Sequence, residues 1–194
     1  MKTDIQQILS VVDDKNLQSI RLHLGCGGIL LSDYINIDYY RQDVPHEDSS
    51  RLSDLADLYL DIRAMELPDS SIDEFFHSHV LEHFHRWEAL VLFEKWFRAL
   101  KSGGQLIIET PDFWRCVLYL FHPSGEKRSR ARRMFYGNQW DGLEYEAHRY
   151  LWDSREIIST LTQTGFGNVQ VSHSTLTHHQ GRDMRVVATK SLHS

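Results

Sequence analysis

The chain has 194 residues, 41% of them hydrophobic and 25% charged, with a formal net charge of −6. That length sustains one domain with a sizeable core, and the acidic balance argues against a protein built mainly to hold nucleic acid. Only two cysteines, Cys26 and Cys116, occur, and in unlike contexts, so no disulfide framework is indicated and a reducing, cytoplasmic setting is expected.

The N-terminus carries Asp4 and no apolar stretch of the kind a signal peptide needs. No apolar run approaches the roughly 20 residues that span a bilayer. Thr3 can cap a helix in which Ile5, Ile8, Leu9 and Val12 share one face. "SIRLHLG" reads as a short buried strand stopped by glycine. "YINID" is a second strand ending in Asp38, and "ADLYLDI" a third ending at Asp61. "SIDEFFHSHV" is a fourth, introduced by the turn residues of "LPDSS". A long helix follows from about Trp87 to Leu100, with a buried stripe of Leu90, Val91, Phe93, Phe97 and Leu100. "KSGG" terminates it, and "QLIIETPD" is the fifth strand. Residues 113–150 are aromatic and basic by turns and break the pattern. A helix resumes at Asp153 and runs to Gln163, before Gly165. "NVQVSHS" and "MRVVATK" close the chain as two strands, expected to form a hairpin across "TLTHHQGRD".

Strands alternating with helices predict a three-layer αβα sheet, mostly parallel. Residues 1–194 are expected to form one domain, with 113–150 as an insertion that covers a substrate. Ligands of such sheets bind outside the carboxyl ends of the strands. The glycines of "LHLGCGG", Asp38, Asp61 and the stretch "HSHVLEH" all fall at such ends. Glycines there let backbone approach a ligand and permit positive φ. The third glycine of a dinucleotide fingerprint is missing from its place, since Ile29 and Leu30 follow Gly28, and no helix opens before Asp33 and Tyr34. Taken alone the glycines serve equally as a tight turn. A carboxylate at Asp38 can accept two hydrogen bonds from a ribose diol, and one at Asp61 can accept from an exocyclic amine while the Ile62 amide donates to a ring nitrogen. Either aspartate also suits a cap or turn.

The segments "LHLGCGG", "NID", "LDI", "SHVLEHF" and "LKSGGQLIIETPD", in this order, resemble the class I S-adenosylmethionine-dependent methyltransferases. The resemblance is closest to the small bacterial type-11-like group and is strongest over residues 20–111. It implies a Rossmann-like sheet of seven strands with an antiparallel C-terminal strand. It implies S-adenosylmethionine as cofactor and S-adenosylhomocysteine as product. Gly25, Cys26, Gly27 and Gly28 would cradle the methionine part, Asp38 would take the ribose hydroxyls, and Asp61 and Ile62 would read the adenine. Ser78 and His79 would pass beside the cofactor. The family often has an acid two positions before the first glycine, where it contacts the cofactor's amino group; this chain departs from that with His23, which takes the acid's place among the cofactor-binding residues. The helix that normally joins the first two strands is shortened almost to nothing.

Methyl transfer needs mainly proximity and alignment, with a general base where the acceptor is a hydroxyl. His83, His85 and His148 are candidates for that base, with His83 and His148 expected to carry it. Lys127, Arg128, Arg130, Arg132 and Arg133 form a basic run that suits an anionic, small or sugar-like acceptor, as well as an ordinary solvated helix face. Trp114, Phe121, Phe135, Tyr136 and Trp140 could stack on a sugar or anchor the insertion. O-methylation is the expected reaction, with a cofactor-binding protein that lacks chemistry as the alternative. No resident metal is expected. The spelling H-x-x-E-H gives a third reading, a zinc hydrolase with His79 and His83 as ligands and Glu82 as base.

Overall fold

A computed structural model describes residues 3–39, 55–139, 144–175 and 181–191. The first helix, α1 (Asp4–Lys15), starts where the Thr3 amide donates to Gln6 Oε1 at 3.0 Å and stops at Asn16 in the left-handed region. Ile8 is its buried residue, whereas Leu9, expected on the same face, is 44% exposed. Strands β1 (Arg21–Leu24) and β2 (Ile35–Asp38) follow with no helix between them, as the sequence predicts. β3 is only Leu58–Tyr59, shorter than expected, so Asp61 lies past the strand's end. There its carbonyl accepts from the amides of Ala64 and Met65 and starts a turn.

β4 (Ile72–Ser78) leads through a 3-10 turn at Leu81–His83 to α2 (Arg86–Ala99). The buried face of α2 is Ala89, Leu92, Phe93, Trp96 and Ala99, rotated from the expected stripe, and Val91 is 49% exposed. Trp96 sets the rotation: its large ring packs 5.9 Å from Phe75 and 6.0 Å from Phe93. His85 is the N-cap of this helix, and its amide donates to Glu88 Oε2.

β5 (Leu100–Pro111) begins at once, so "KSGG" both ends the helix and opens the strand. Gly104 is required there, because a Cβ would stand 2.9 Å from the carbonyl oxygens of Asp73 and Lys101. Helices α3 (Phe113–Leu120) and α4 (Gly125–Tyr136) occupy the irregular stretch, and Phe113 meets Phe135 at 5.8 Å. Trp140 lies outside the described residues. α5 (Ser154–Thr164) runs between its Asp153 cap and Gly165 at φ 114°, close to the expected bounds. β6 (Phe166–His173) and β7 (Asp183–Lys190) pair antiparallel, and part of the predicted turn between them lies outside the described residues.

The seven strands form one sheet in the order β3-β2-β1-β4-β5-β7-β6. β1 to β5 run parallel, and β7 is antiparallel to both its neighbours. This is the expected Rossmann-like sheet with its antiparallel C-terminal strand. Register partners Leu22, Ile35, Phe75, Leu106 and Ala188 share one face and enter a common core with Ile8, Trp96 and Leu161. The strand order reverses between β1 and β4, which opens a crevice at their carboxyl ends. No described helix is long and apolar enough to cross a membrane.

Candidate functional site

The loop after β1 is shaped by its glycines. Gly25 has φ 62° and Gly27 φ 50°, both left-handed, where a side chain is strained. A Cβ on Gly25 would stand 2.4 Å from Val80 Cγ2, so the loop packs tightly against the chain leaving β4. A Cβ on Gly27 would meet nothing within 4 Å: there the loop borders open space. Gly28 is exposed beside it. Cys26 turns inward at 3% exposure, donates its amide to Ile37 O, and leaves only backbone to the crevice. Burial and the neighbouring Asp38 push its thiol up to about 12.

Asp38 closes the loop onto β2. Its Oδ2 accepts the Gly27 amide at 2.7 Å and its Oδ1 accepts the Tyr39 amide at 2.7 Å. Asp61 Oδ1 accepts from the amide and Nε of Arg63, and Oδ2 accepts from Nη2 at 3.0 Å. Burial alone would raise its carboxyl, but the Arg63 hydrogen bonds outweigh burial and hold it below the usual range. One lone pair of Oδ2 is left for a further donor beside Ile62. Ser78 closes β4 with a buried Oγ that has no partner.

Two of the sequence-predicted residues have their side chains engaged within the protein. His23 is 1% exposed and lies within the sheet, with Nδ1 3.1 Å from Asn36 Oδ1 and its ring 4.9 Å from Phe76. Strand alternation puts it between Leu22 and Leu24 on the opposite face, so its side chain is part of the packing and not of the loop surface. His79 has φ 55° and both ring nitrogens committed, Nδ1 to Glu82 Oε1 at 2.8 Å and Nε2 to Asp183 Oδ2 at 3.0 Å. Two carboxylate acceptors require both nitrogens to be protonated. Burial disfavours that charge, but Glu82 and Asp183 outweigh it and raise the pKa to about 10. A cation with no free lone pair is not a zinc ligand, and His79 lies before the 3-10 turn and not on a helix with His83. The hydrolase ligand set His79/His83 is therefore absent.

Glu82 and Asp183 are both fully buried. Burial would raise Glu82 and Asp183 alike, yet His79 holds each below its usual range. Glu82 Oε2 also accepts from Thr110 Oγ1 at 3.2 Å, and Asp183 Oδ1 accepts from Arg182 Nε at 3.0 Å. The Glu82 carbonyl accepts the Arg149 amide at 2.7 Å, which brings in the segment that carries His148.

His83 and His148 do come together. Their rings meet edge to face with centroids 4.9 Å apart. Nδ1 of His148 bonds the Met134 carbonyl at the end of α4. A carbonyl only accepts, so Nδ1 carries the proton and Nε2 keeps a lone pair. Burial lowers the His148 pKa and favours this neutral form, against the pull of Glu82. Nδ1 of His83 is buried without a partner. Sequence reasoning missed Thr110, Met134, Arg182 and Asp183. Only the "GRD" ahead of the last strand signalled one of them, a carboxylate at a strand terminus.

A family model described as a methyltransferase domain matches residues 33–171. No curated protein matches the chain. Among solved structures, a SAM-dependent methyltransferase from Archaeoglobus fulgidus is 13% identical, with 96% of this chain and 93% of that chain covered and a TM-score of 0.58. A possible histamine N-methyltransferase from Thermotoga maritima is 14% identical, with 96% and 89% covered and a TM-score of 0.58. The 1,6-didemethyltoxoflavin-N1-methyltransferase of Burkholderia thailandensis, solved with S-adenosylhomocysteine, is 11% identical, with 96% and 77% covered and a TM-score of 0.57. At these identities the likeness is one of fold. The strand-end residues fit such a donor: a left-handed glycine loop bordering open space, a carboxylate at the end of β2, and an orphaned Ser78 Oγ at the end of β4. The chain thus belongs to the methyltransferase-domain family, as a class I methyltransferase whose cofactor is S-adenosylmethionine.

Proposed function

We propose that the chain methylates an oxygen of a small or sugar-like acceptor, and that it does so as one domain whose residues 113–150 cover the acceptor. The observation that carries this reading is the His83–His148 pair, two imidazoles at the carboxyl end of β4 with His148 held neutral. When bound, the cofactor supplies a methyl group already activated on a sulfonium. The backbone of Gly25, Cys26, Gly27 and Gly28 cradles its methionine part. Asp38 accepts from the ribose hydroxyls, and Asp61 with Ile62 meets the adenine. Ser78 borders the cofactor from β4. His148, through the free lone pair on Nε2, takes up the acceptor's hydroxyl proton, and His83 orients the oxygen.

The basic residues of α4 support an anionic acceptor. Lys127 and Arg132 are exposed, whereas Arg130 pairs with Glu126 at 2.6 Å and Arg128 bonds the carbonyls of His122 and Pro123. Trp114, Phe121 and Tyr136 are exposed too. A cytoplasmic setting suits two buried, unpaired cysteines. Incubating the protein with labelled donor and fractionated cell extract tests the whole reading. Label should enter an anionic, low-mass fraction in a form stable to alkali, as an ether is. Label on nitrogen, or none in any fraction while S-adenosylhomocysteine binds, would overturn it.

A further inference from the structure

We propose that Glu82, His83 and His148 together bind one divalent transition-metal ion beside the acceptor. This deepens the reading above and rests on it for the ion's role, but the site itself stands on geometry. One ligand atom from each residue can be chosen so that all three lie within 4.8 Å of one another. Three atoms on a triangle with sides no longer than 4.8 Å lie within roughly 2.8 Å of a common point, against the ~2.0–2.2 Å of a metal bond. Side-chain shifts of under about an ångström close that gap.

The surroundings prepare the ligands. The Met134 carbonyl fixes the proton of His148 on Nδ1, so Nε2 is the ligand atom, as a metal-binding histidine requires. Glu82 is fully buried and clamped by His79 on Oε1 and by Thr110 on Oε2, which leaves acceptor capacity on each oxygen. The independent observation is His83: its Nδ1 is buried and has no partner. A buried imidazole nitrogen without a hydrogen bond is costly, and a bound ion that orders this ring would account for the position it holds.

Two imidazoles and one carboxylate select zinc or iron(II) over magnesium or calcium, which demand oxygen ligands. Three protein ligands leave coordination positions open, the mark of a catalytic site. An acceptor hydroxyl on an open position would become more acidic and more exactly placed. With the ion bound, the Nε2 lone pair of His148 is a ligand and no longer the proton acceptor; the ion then takes over activation of the hydroxyl, and the released proton would pass to solvent.

The test uses the full chain, stripped by chelator and titrated with Zn²⁺ alone and with Co²⁺ alone. One equivalent should bind below about 100 μM, and Co²⁺ should develop visible d–d bands. His148→Ala should weaken binding by about 100-fold or more and abolish those bands, beyond what loss of an outer-shell partner does. S-adenosylhomocysteine titration of the same sample reports whether the variant is folded. If His148→Ala does not fold, His83→Asn is read in the same way. No ion bound by the wild-type chain, or binding that survives both substitutions, overturns the site. Methyl transfer that persists without any ion binding overturns it while leaving the methyltransferase reading intact. Failure of S-adenosylhomocysteine to bind, with the ion in place, does the reverse.

Discussion

His79 and Asp183, 104 positions apart in the chain, meet at 3.0 Å between Nε2 and Oδ2. The same imidazole reaches Glu82 on its other side, so one half-buried cation between two fully buried carboxylates ties the end of β4 to the start of β7. The crevice is framed by this tie. Replacing His79 by Ala leaves two buried carboxylates without their shared partner. Breaking a fully buried ion pair costs about 3–5 kcal/mol; with the imidazole 31% exposed, water screens part of the loss, and denaturant unfolding of His79→Ala should show a loss of about 1–3 kcal/mol. A loss within about 0.5 kcal/mol, the usual range of a surface change, would contradict the tie.

The pH dependence follows from the same group. His79 is raised from 6.5 to about 10 on folding, because Glu82 and Asp183 outweigh the burial that would lower it. Its contribution to stability is therefore complete below pH 6.5 and declines as pH rises through about 10. Glu82 and Asp183 are lowered from 4.5 and 3.8, so their contributions persist at neutral pH and fade only in acid. Denaturant midpoints measured from neutrality to pH 10 should fall in the wild type, and the fall should be smaller in His79→Gln. Equal slopes in the two proteins would remove His79 from the account.

The two left-handed glycines should respond differently. Alanine at position 27 adds the strain of a left-handed residue, about 1–2 kcal/mol, in otherwise open space. Alanine at position 25 adds the same strain and a 2.4 Å clash with Val80 Cγ2. Gly25→Ala should thus be the more destabilising, and Val80→Ala should rescue part of its loss but none of that of Gly27→Ala. A rescue of both, or of neither, would contradict the packing of the loop on β4.

Cys26 and Cys116 are both pushed up to about 12, chiefly by burial. The thiolate is the reactive form, so neither should react with iodoacetamide in the native chain at mild alkaline pH. Both should react in denaturant. Mass spectrometry of the alkylated chain separates these outcomes, and native labelling of Cys26 would show the loop to be more open than described.

The ends of β1 and β2 were legible because their punctuation is chemical: glycines stop β1 and Asp38 ends β2, whereas β3 stops at Tyr59, short of Asp61. Asp153 and Gly165 delimited α5 for the same reason. The face of α2 was not legible, since apolar residues lie on several sides of it and only the packing of Trp96 chooses among them. His23 could have been placed by alternation, as it falls between Leu22 and Leu24 in a strand buried from Leu22 onward. His79 could not, because its role is set by Asp183, brought to it by the sheet alone. The pairing of His83 with His148 was expected as two separate histidines near one acceptor, and tertiary contact turns them into a pair.

The most direct measurement of the central claim is calorimetric titration of S-adenosylhomocysteine into the wild-type chain and into Asp38→Ala. The account predicts one site of micromolar affinity, weakened by at least about 10-fold in the variant, which is about 1.4 kcal/mol. No binding by the wild type at about 1 mM, or equal affinity in the two proteins, would contradict it.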